Sequence, residues 1–310
     1  MTKRVYCPED GGVLQIPLLN EVLIGKKFVG AHDGGWVAAL GDNMQLAIVN
    51  LFSGVEVPLP AKDLSRGCSG QDNSIRKVIF SESPTSSGCI IAAITSLYNI
   101  TLCGIGYPGS WWRTSKFYQH CITDIIFYNG YLYGLASSND LVRFEIGMNK
   151  DGGPVITDKQ QWLHIKIGSI AIGFPCYLIE LNDKLAMAVK ICLVDTREPL
   201  FKVFEIVDEL TTRYTHKWKE VTSLGDYALF LGKRWSKAVY VPSAKRGEVQ
   251  RSCIYADDMK YLTSLDGKGD RLYHMPDENS NNFTEMIKSV GSYVYAGYFP
   301  CGMWILPPNF

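Results

Sequence analysis

Short apolar or alternating runs, each ended by a tight polar turn, recur along this chain in sets of four. The first set shows the rule. Lys27-Phe28-Val29-Gly30 leads into the turn His32-Asp33-Gly34-Gly35, and Trp36 to Leu40 follows. After Gly41-Asp42-Asn43 come Gln45 to Val49, the turn Ser53-Gly54, and Val55-Glu56-Val57-Pro58. Turns this short, rich in Gly, Asp and Asn, join antiparallel neighbours in series.

The set then repeats. Ile75 to Phe80, Cys89 to Thr95, Asn99 to Ile105 and the region of Trp111-Trp112 form the second. Ile122 to Tyr128, Tyr131 to Ala136, Leu141 to Ile146 and Gly153 to Thr157 form the third. Asn129-Gly130 between its first two runs suits the two positive-φ residues of a type I′ hairpin turn. Cys176 to Leu181, Lys184 to Leu193, Leu200 to Val207 and His216 to Val221 form the fourth. Asp226 to Leu231, Ala238 to Val241, Gln250 to Tyr255 and Gly269 to His274 form the fifth. Phe283 to Val290, Tyr293 to Tyr298 and Met303 to Leu306 close the chain. No stretch holds a 3.6-residue period. Glu205 to Lys219 reads as strand, loop and strand, because Thr211, Thr212, Tyr214 and Thr215 are weak helix formers.

Four-strand sets recurring at about 40 to 55 residues are the pattern of propeller blades. The expectation is an all-β fold, a β-propeller of four-stranded antiparallel blades, six in number with seven as the alternative. Residues 1–310 form a single propeller domain in this reading. The hairpin Arg4-Val5-Tyr6 with Val13 to Ile16 precedes the first full set, and the last set lacks strands. Supplying those strands from the N-terminus would close the ring and remove its exposed edges.

Charge narrows the partners. Lysine plus arginine number 31, and aspartate plus glutamate 31. A zero net charge gives no field for nucleic acid or an anionic membrane, so neither is expected as a partner. Nothing approaches the roughly 18 apolar residues of a membrane helix, and Met1-Thr2-Lys3-Arg4 has no apolar stretch behind it. Nine scattered cysteines without a C-x-x-C pattern read as buried reduced thiols of a cytoplasmic or nuclear monomer.

Chemistry-bearing patterns are sparse. Gly104, Gly106 and Gly109 in C-G-I-G-Y-P-G-S-W-W stand at the spacing of a dinucleotide cradle. Pro108 removes a backbone donor, and no amphipathic helix opens at Ser110 to Ser115. The stretch therefore reads as a blade turn. His120-Cys121 would point to opposite sides of a strand, which argues against a dyad. The acidic doublet Asp257-Asp258 has no nearby histidine. No catalytic residue, cofactor or metal site is expected. The binding reading rests on two loops, since first-to-second and third-to-fourth turns of a blade share one face. Tyr107, Trp111, Trp112 and Arg113 lie in one, and Lys233, Arg234 and Trp235 in the other. Trp, Tyr and Arg are the residue types that anchor interfaces. Trp36, Trp162, Trp218 and Trp304 read as core.

Several segments, in order, carry a family resemblance. They are Phe28 to Val37 (F-V-G-A-H-D-G-G-W-V), Ile48 to Gly54 (I-V-N-L-F-S-G) with Leu59-Pro60, and Asp124 to Gly130. Phe201 to Phe204, Trp218 to Gly232 (W-K-E-V-T-S-L-G-D-Y-A-L-F-L-G) and Trp304 to Pro307 follow. The chain resembles the plant F-box-associated domain-of-unknown-function family, a KIB-type β-propeller, over roughly residues 3 to 307. The resemblance implies a module that recruits a target protein to a cullin ubiquitin ligase. Its F-box has no room before the first strands, so a Skp-type adaptor is not expected as a partner. The reading is a non-catalytic protein-binding propeller, related to a ligase's substrate-recognition module, with an unnamed target. The alternative is a propeller enzyme or small-ligand binder with its site at the central channel.

Overall fold

A computed structural model describes residues 2–6, 13–17, 21–42, 45–59, 75–96, 98–107, 112–113, 121–137, 140–163, 165–166, 176–192, 199–208, 216–241, 251–256 and 271–274. The chain divides into two compact units. One is built mainly on Leu18–Ile165, the other on Thr2–Pro17 with Lys166–Trp304.

The N-terminal hairpin is β1 (Thr2–Tyr6) and β2 (Val13–Pro17), which pair with each other as a two-stranded sheet. The first unit then holds three four-stranded meanders. The first runs β3 (Lys27–His32), β4 (Trp36–Leu40), β5 (Leu46–Asn50), β6 (Glu56–Val57), after a short 3-10 turn at Glu21–Leu23. The second runs β7 (Ile75–Phe80), β8 (Ile90–Thr95), β9 (Ile100–Gly104), β10 (Trp112–Arg113). The third runs β11 (Ile122–Tyr128), β12 (Tyr131–Ala136), β13 (Leu141–Met148), β14 (Pro154–Leu163). Every neighbour pair in them is antiparallel. The turns are local enough to set these limits: Asn129 and Gly130 take φ of 47° and 77°, as a type I′ turn requires.

In the second unit β15 (Ile165–Lys166) joins β16 (Cys176–Leu181), β17 (Lys184–Cys192), β18 (Pro199–Asp208) and β19 (His216–Val221), ordered β15-β19-β18-β17-β16. The last sheet holds β20 (Tyr227–Leu231), β21 (Lys237–Tyr240), β22 (Cys253–Ala256) and β23 (Arg271–His274), ordered β21-β20-β22-β23. Here the all-antiparallel expectation is corrected. β21 and β22 lie on opposite sides of β20, and β20 and β22 are parallel. Between β20 and β22 the chain passes through β21, so the parallel pair is joined by residues 232–252 and not by a tight turn.

Among the described residues the structure thus presents a β-propeller of five blade sheets, where six or seven were expected. The discrepancy lies at the ends. The sixth set was to combine the N-terminal hairpin with the runs from Phe283 to Leu306, and those runs lie outside the described residues.

The cores lie between neighbouring sheets. Val29, Ile48, Val78 and Ile91 pack between the first two sheets, and Ile94, Leu102, Ile125 and Phe144 between the second and third. In the second unit Ile179, Val203, Leu229 and Ile254 do the same. Second strands carry small buried residues, on both faces in β4 and β8 and on one face in β17. Ala38, Ala39, Ala92, Ala93, Ala186 and Ala188 are fully buried. They let twisted sheets approach closely without voids.

Candidate protein-binding face

The three innermost strands of the first unit each begin with a bulge, at Phe28/Gly30, Ile75/Lys77 and Ile122/Asp124. A bulge leaves one residue unpaired and re-aims its neighbours. At Gly30 the sheets nearly touch: a Cβ there would stand 2.1 Å from the Val78 carbonyl oxygen. His32, at the far end of β3, packs edge-on against Phe80 at the far end of β7, with ring centroids 5.7 Å apart. Two contacts at matching positions mean that β3 and β7 run the same way. Lys77 Nζ donates to Asp124 Oδ1, which holds β11 level with β7. Both side chains are buried, and Asp124 Oδ1 also accepts from the Ile125 amide at 2.9 Å. All first-to-second and third-to-fourth turns of this unit therefore open at one end of its sheets.

That rim is rigid and partly apolar. In the first sheet, Gly34 and Gly35 take φ of 76° and 84°. The place where a Gly35 Cβ would sit is filled by the Phe52 ring, 2.2 Å from that point. Buried Asn50 ties the two turns together. Its Nδ2 donates to the Gly34 carbonyl at 2.8 Å, and its Oδ1 accepts from the Phe52 and Ser53 amides at 3.0 Å. The Leu51 amide donates to the Gly35 carbonyl at 2.9 Å. The result holds Phe52 and Val55 outward, 37% and 50% exposed. In the third sheet Asn149 caps its turn in the same way, its Oδ1 accepting from the Asp151 and Gly153 amides. Met148 beside it is 51% exposed, and Tyr131, at the hairpin turn, 37%. Sequence reasoning missed these four. The signal was present in the H-D-G-G and N-L-F-S-G segments, which turn out to be one interlocked pair of turns.

The expected loop residues fare differently. Tyr107 is half-buried, and its ring lies where a Gly104 Cβ would be, 2.2 Å from that point. Gly106 takes a φ of 76°. Gly104 and Gly106 thus serve a ring seat and a turn. Trp112 and Arg113 form β10, paired with Leu102 and Thr101; their side chains, and Trp111, lie outside the described residues. In the second unit Lys233 is exposed, but Arg234 and Trp235 are each only 8% exposed. This corrects their reading as surface anchors: Gly232 and Ser236 close the turn on themselves by hydrogen bonds of 3.0 and 3.1 Å, and the two side chains pack inward. The turn joins β20 to β21 in a sheet that is not a meander, so the shared-face rule does not carry over to it. Trp36 and Trp218 are buried as expected; Trp162 and Trp304 lie outside the described side chains.

Among the described residues, no group of three or more His, Cys, Asp or Glu stands together as a metal site. The described cysteines are free. Cys89, Cys103, Cys176 and Cys253 are buried and Cys121 is exposed. Burial pushes the Cys89 thiol up and the Cys253 thiol to about 11, so both stay protonated at neutral pH. Among the described residues no helix is long and apolar enough to cross a membrane.

A family model described as the KIB1-4 beta-propeller matches residues 5–284. No curated protein matches. Among solved structures, the N-terminal domain of Nup159 is similar at 8% identity and a TM-score of 0.36. That likeness covers 78% of this chain, which spans only 56% of the Nup159 chain. The Cps50 (Swd1) β-propeller domain of Myceliophteria thermophila is similar at 10% identity and a TM-score of 0.42, covering 91% of this chain and 77% of that one.

Proposed function

Because this chain belongs to the KIB1-4 β-propeller family, we propose that it is a non-catalytic protein-binding module whose contact surface is the turn rim of its first unit. One observation carries this reading. Phe52, Val55, Tyr131 and Met148 stand exposed on turns made rigid by Asn50, Asn149 and positive-φ glycines. Large apolar side chains held in fixed positions lose little entropy on binding, and they are the kind of group that anchors an interface. Tyr107, on the third-to-fourth turn of the second sheet, lies at the same end of the sheets. The resemblance to the substrate-recognition module of plant F-box receptors makes the partner a protein to be recruited.

The test uses the full chain as bait in a native extract. A partner identified by mass spectrometry is then made recombinantly and titrated by calorimetry. Phe52→Asp, Val55→Asp and Met148→Asp are each expected to weaken its binding by tenfold or more, about 1.4 kcal/mol or above. Tyr240→Asp, at a residue 57% exposed in the second unit, serves as the control. Binding untouched by all three rim changes would overturn the reading.

A further inference from the structure

Beside the rim, the third sheet gathers three tyrosines and one arginine on a single face. Tyr128 and Tyr131 face each other across the hairpin, and Tyr133 is paired with Arg143 on the next strand. The Arg143 guanidinium lies 4.6 Å from the Tyr131 ring centroid. Tyr128 meets Tyr133 edge-on, with centroids 6.0 Å apart. Burial raises the pKa of the Tyr133 phenol, outweighing the opposite pull of the Arg143 charge, so it remains a hydroxyl donor.

Arg143 is half-buried, and it stands in none of the ion pairs among the described residues. By contrast Arg251 has Asp226, and Lys184 and Lys202 have Glu205 and Glu220. A half-buried guanidinium held by the Tyr131 ring face and a hydrogen bond to the Tyr133 hydroxyl keeps further donors of its planar fork, whose natural complement is a carboxylate.

We propose that Arg143, flanked by Tyr128, Tyr131 and Tyr133, receives an aspartate or glutamate side chain from an extended segment of the partner protein. The carboxylate accepts from the guanidinium fork, and the tyrosine rings cover its methylenes. This rests on the protein-binding reading and adds the chemistry of the partner.

The probe is a displayed library of random peptides panned against the full chain, with recovered peptides resynthesised for fluorescence titration. Acidic residues are expected to be enriched among them. Arg143→Gln should weaken binding about tenfold to a hundredfold, and Arg143→Lys by an intermediate amount, since it keeps the charge but loses the fork. Arg76→Gln is the matched control. Arg76 also lies over a tyrosine, 4.7 Å from the Tyr98 ring centroid, but at the opposite end of its sheet, and its loss should change binding less than threefold. Thermal melts of each variant separate misfolding from lost contact. Peptides without acidic bias, peptides bound equally by Arg143→Gln, or no recovered peptides at all would sink the inference. Peptides that respond to Val55→Asp and not to Arg143→Gln would sink it while leaving the protein-binding reading intact.

Discussion

The buried Lys77–Asp124 pair couples the innermost strands of two neighbouring sheets, and its removal makes a sharp quantitative prediction. Side-chain exposures of 7% and 5% put both charges in a poorly hydrated setting. Lys77→Met removes one charge of the pair, while the Asp124 carboxylate keeps the Ile125 amide among its donors. Removing one member of a buried ion pair costs about 3–5 kcal/mol, a large fraction of the roughly 5–15 kcal/mol of a folded domain. Asp124→Asn strands the lysine instead and is expected to cost about as much, although the amide oxygen can still accept from Ile125. The double variant holds no unpaired charge and should cost only about 1–2 kcal/mol, because a buried pair contributes little beyond its own desolvation. The coupling read from the double-mutant cycle should therefore exceed roughly 2 kcal/mol. Urea unfolding followed by tryptophan fluorescence measures all four proteins. If Lys77→Met costs under about 1 kcal/mol, or the cycle closes with no coupling, the pair is not buried in the way that links these sheets.

Three further outcomes follow from the same geometry. Gly130→Ala meets open space, so only its left-handed backbone resists, at about 1–2 kcal/mol; Gly35→Ala must also displace the Phe52 ring and should cost clearly more in urea unfolding, with equal costs refuting the ring seat. Trp235→Ala should cost about 3–5 kcal/mol as a core truncation, whereas Lys233→Ala should stay within about 0.5 kcal/mol; the reverse order would restore Trp235 as a surface residue. Cys253 should resist iodoacetamide at pH 8 while Cys121 reacts, as mass spectrometry can follow. Since its folded pKa lies near 11 and the ordinary value is 9.0, the unfolded chain loses that proton first as pH rises. Stability from this thiol is therefore kept below pH 9 and lost between about 9 and 11, and a Cys253→Ala variant should lack that segment of the pH curve.

Which strands exist was readable residue by residue, because two-residue turns and alternating runs act locally. Ile75–Phe80, Tyr131–Ala136 and His216–Val221 begin and end where their patterns do. Pro108 and Gly109 lie outside the described residues, and Gly106 was legible as a turn residue. The rim was not. Phe52 looks like any strand-end aromatic until Gly35 is seen to seat its ring, a contact across 17 positions set by β4–β5 pairing. Nor could a loop containing Lys233, Arg234 and Trp235 announce which members turn inward.

By itself the sequence determined an all-β chain of four-strand sets and the family to which it belongs, since turn chemistry and strand period depend on neighbours along the chain. Tertiary structure alone decided the five blade sheets among the described residues, the parallel β20–β22 pair, the burial of Trp235 and the meeting of Lys77 with Asp124. Each depends on which strand lies beside which across long separations, and a local pattern compatible with several such pairings cannot choose among them.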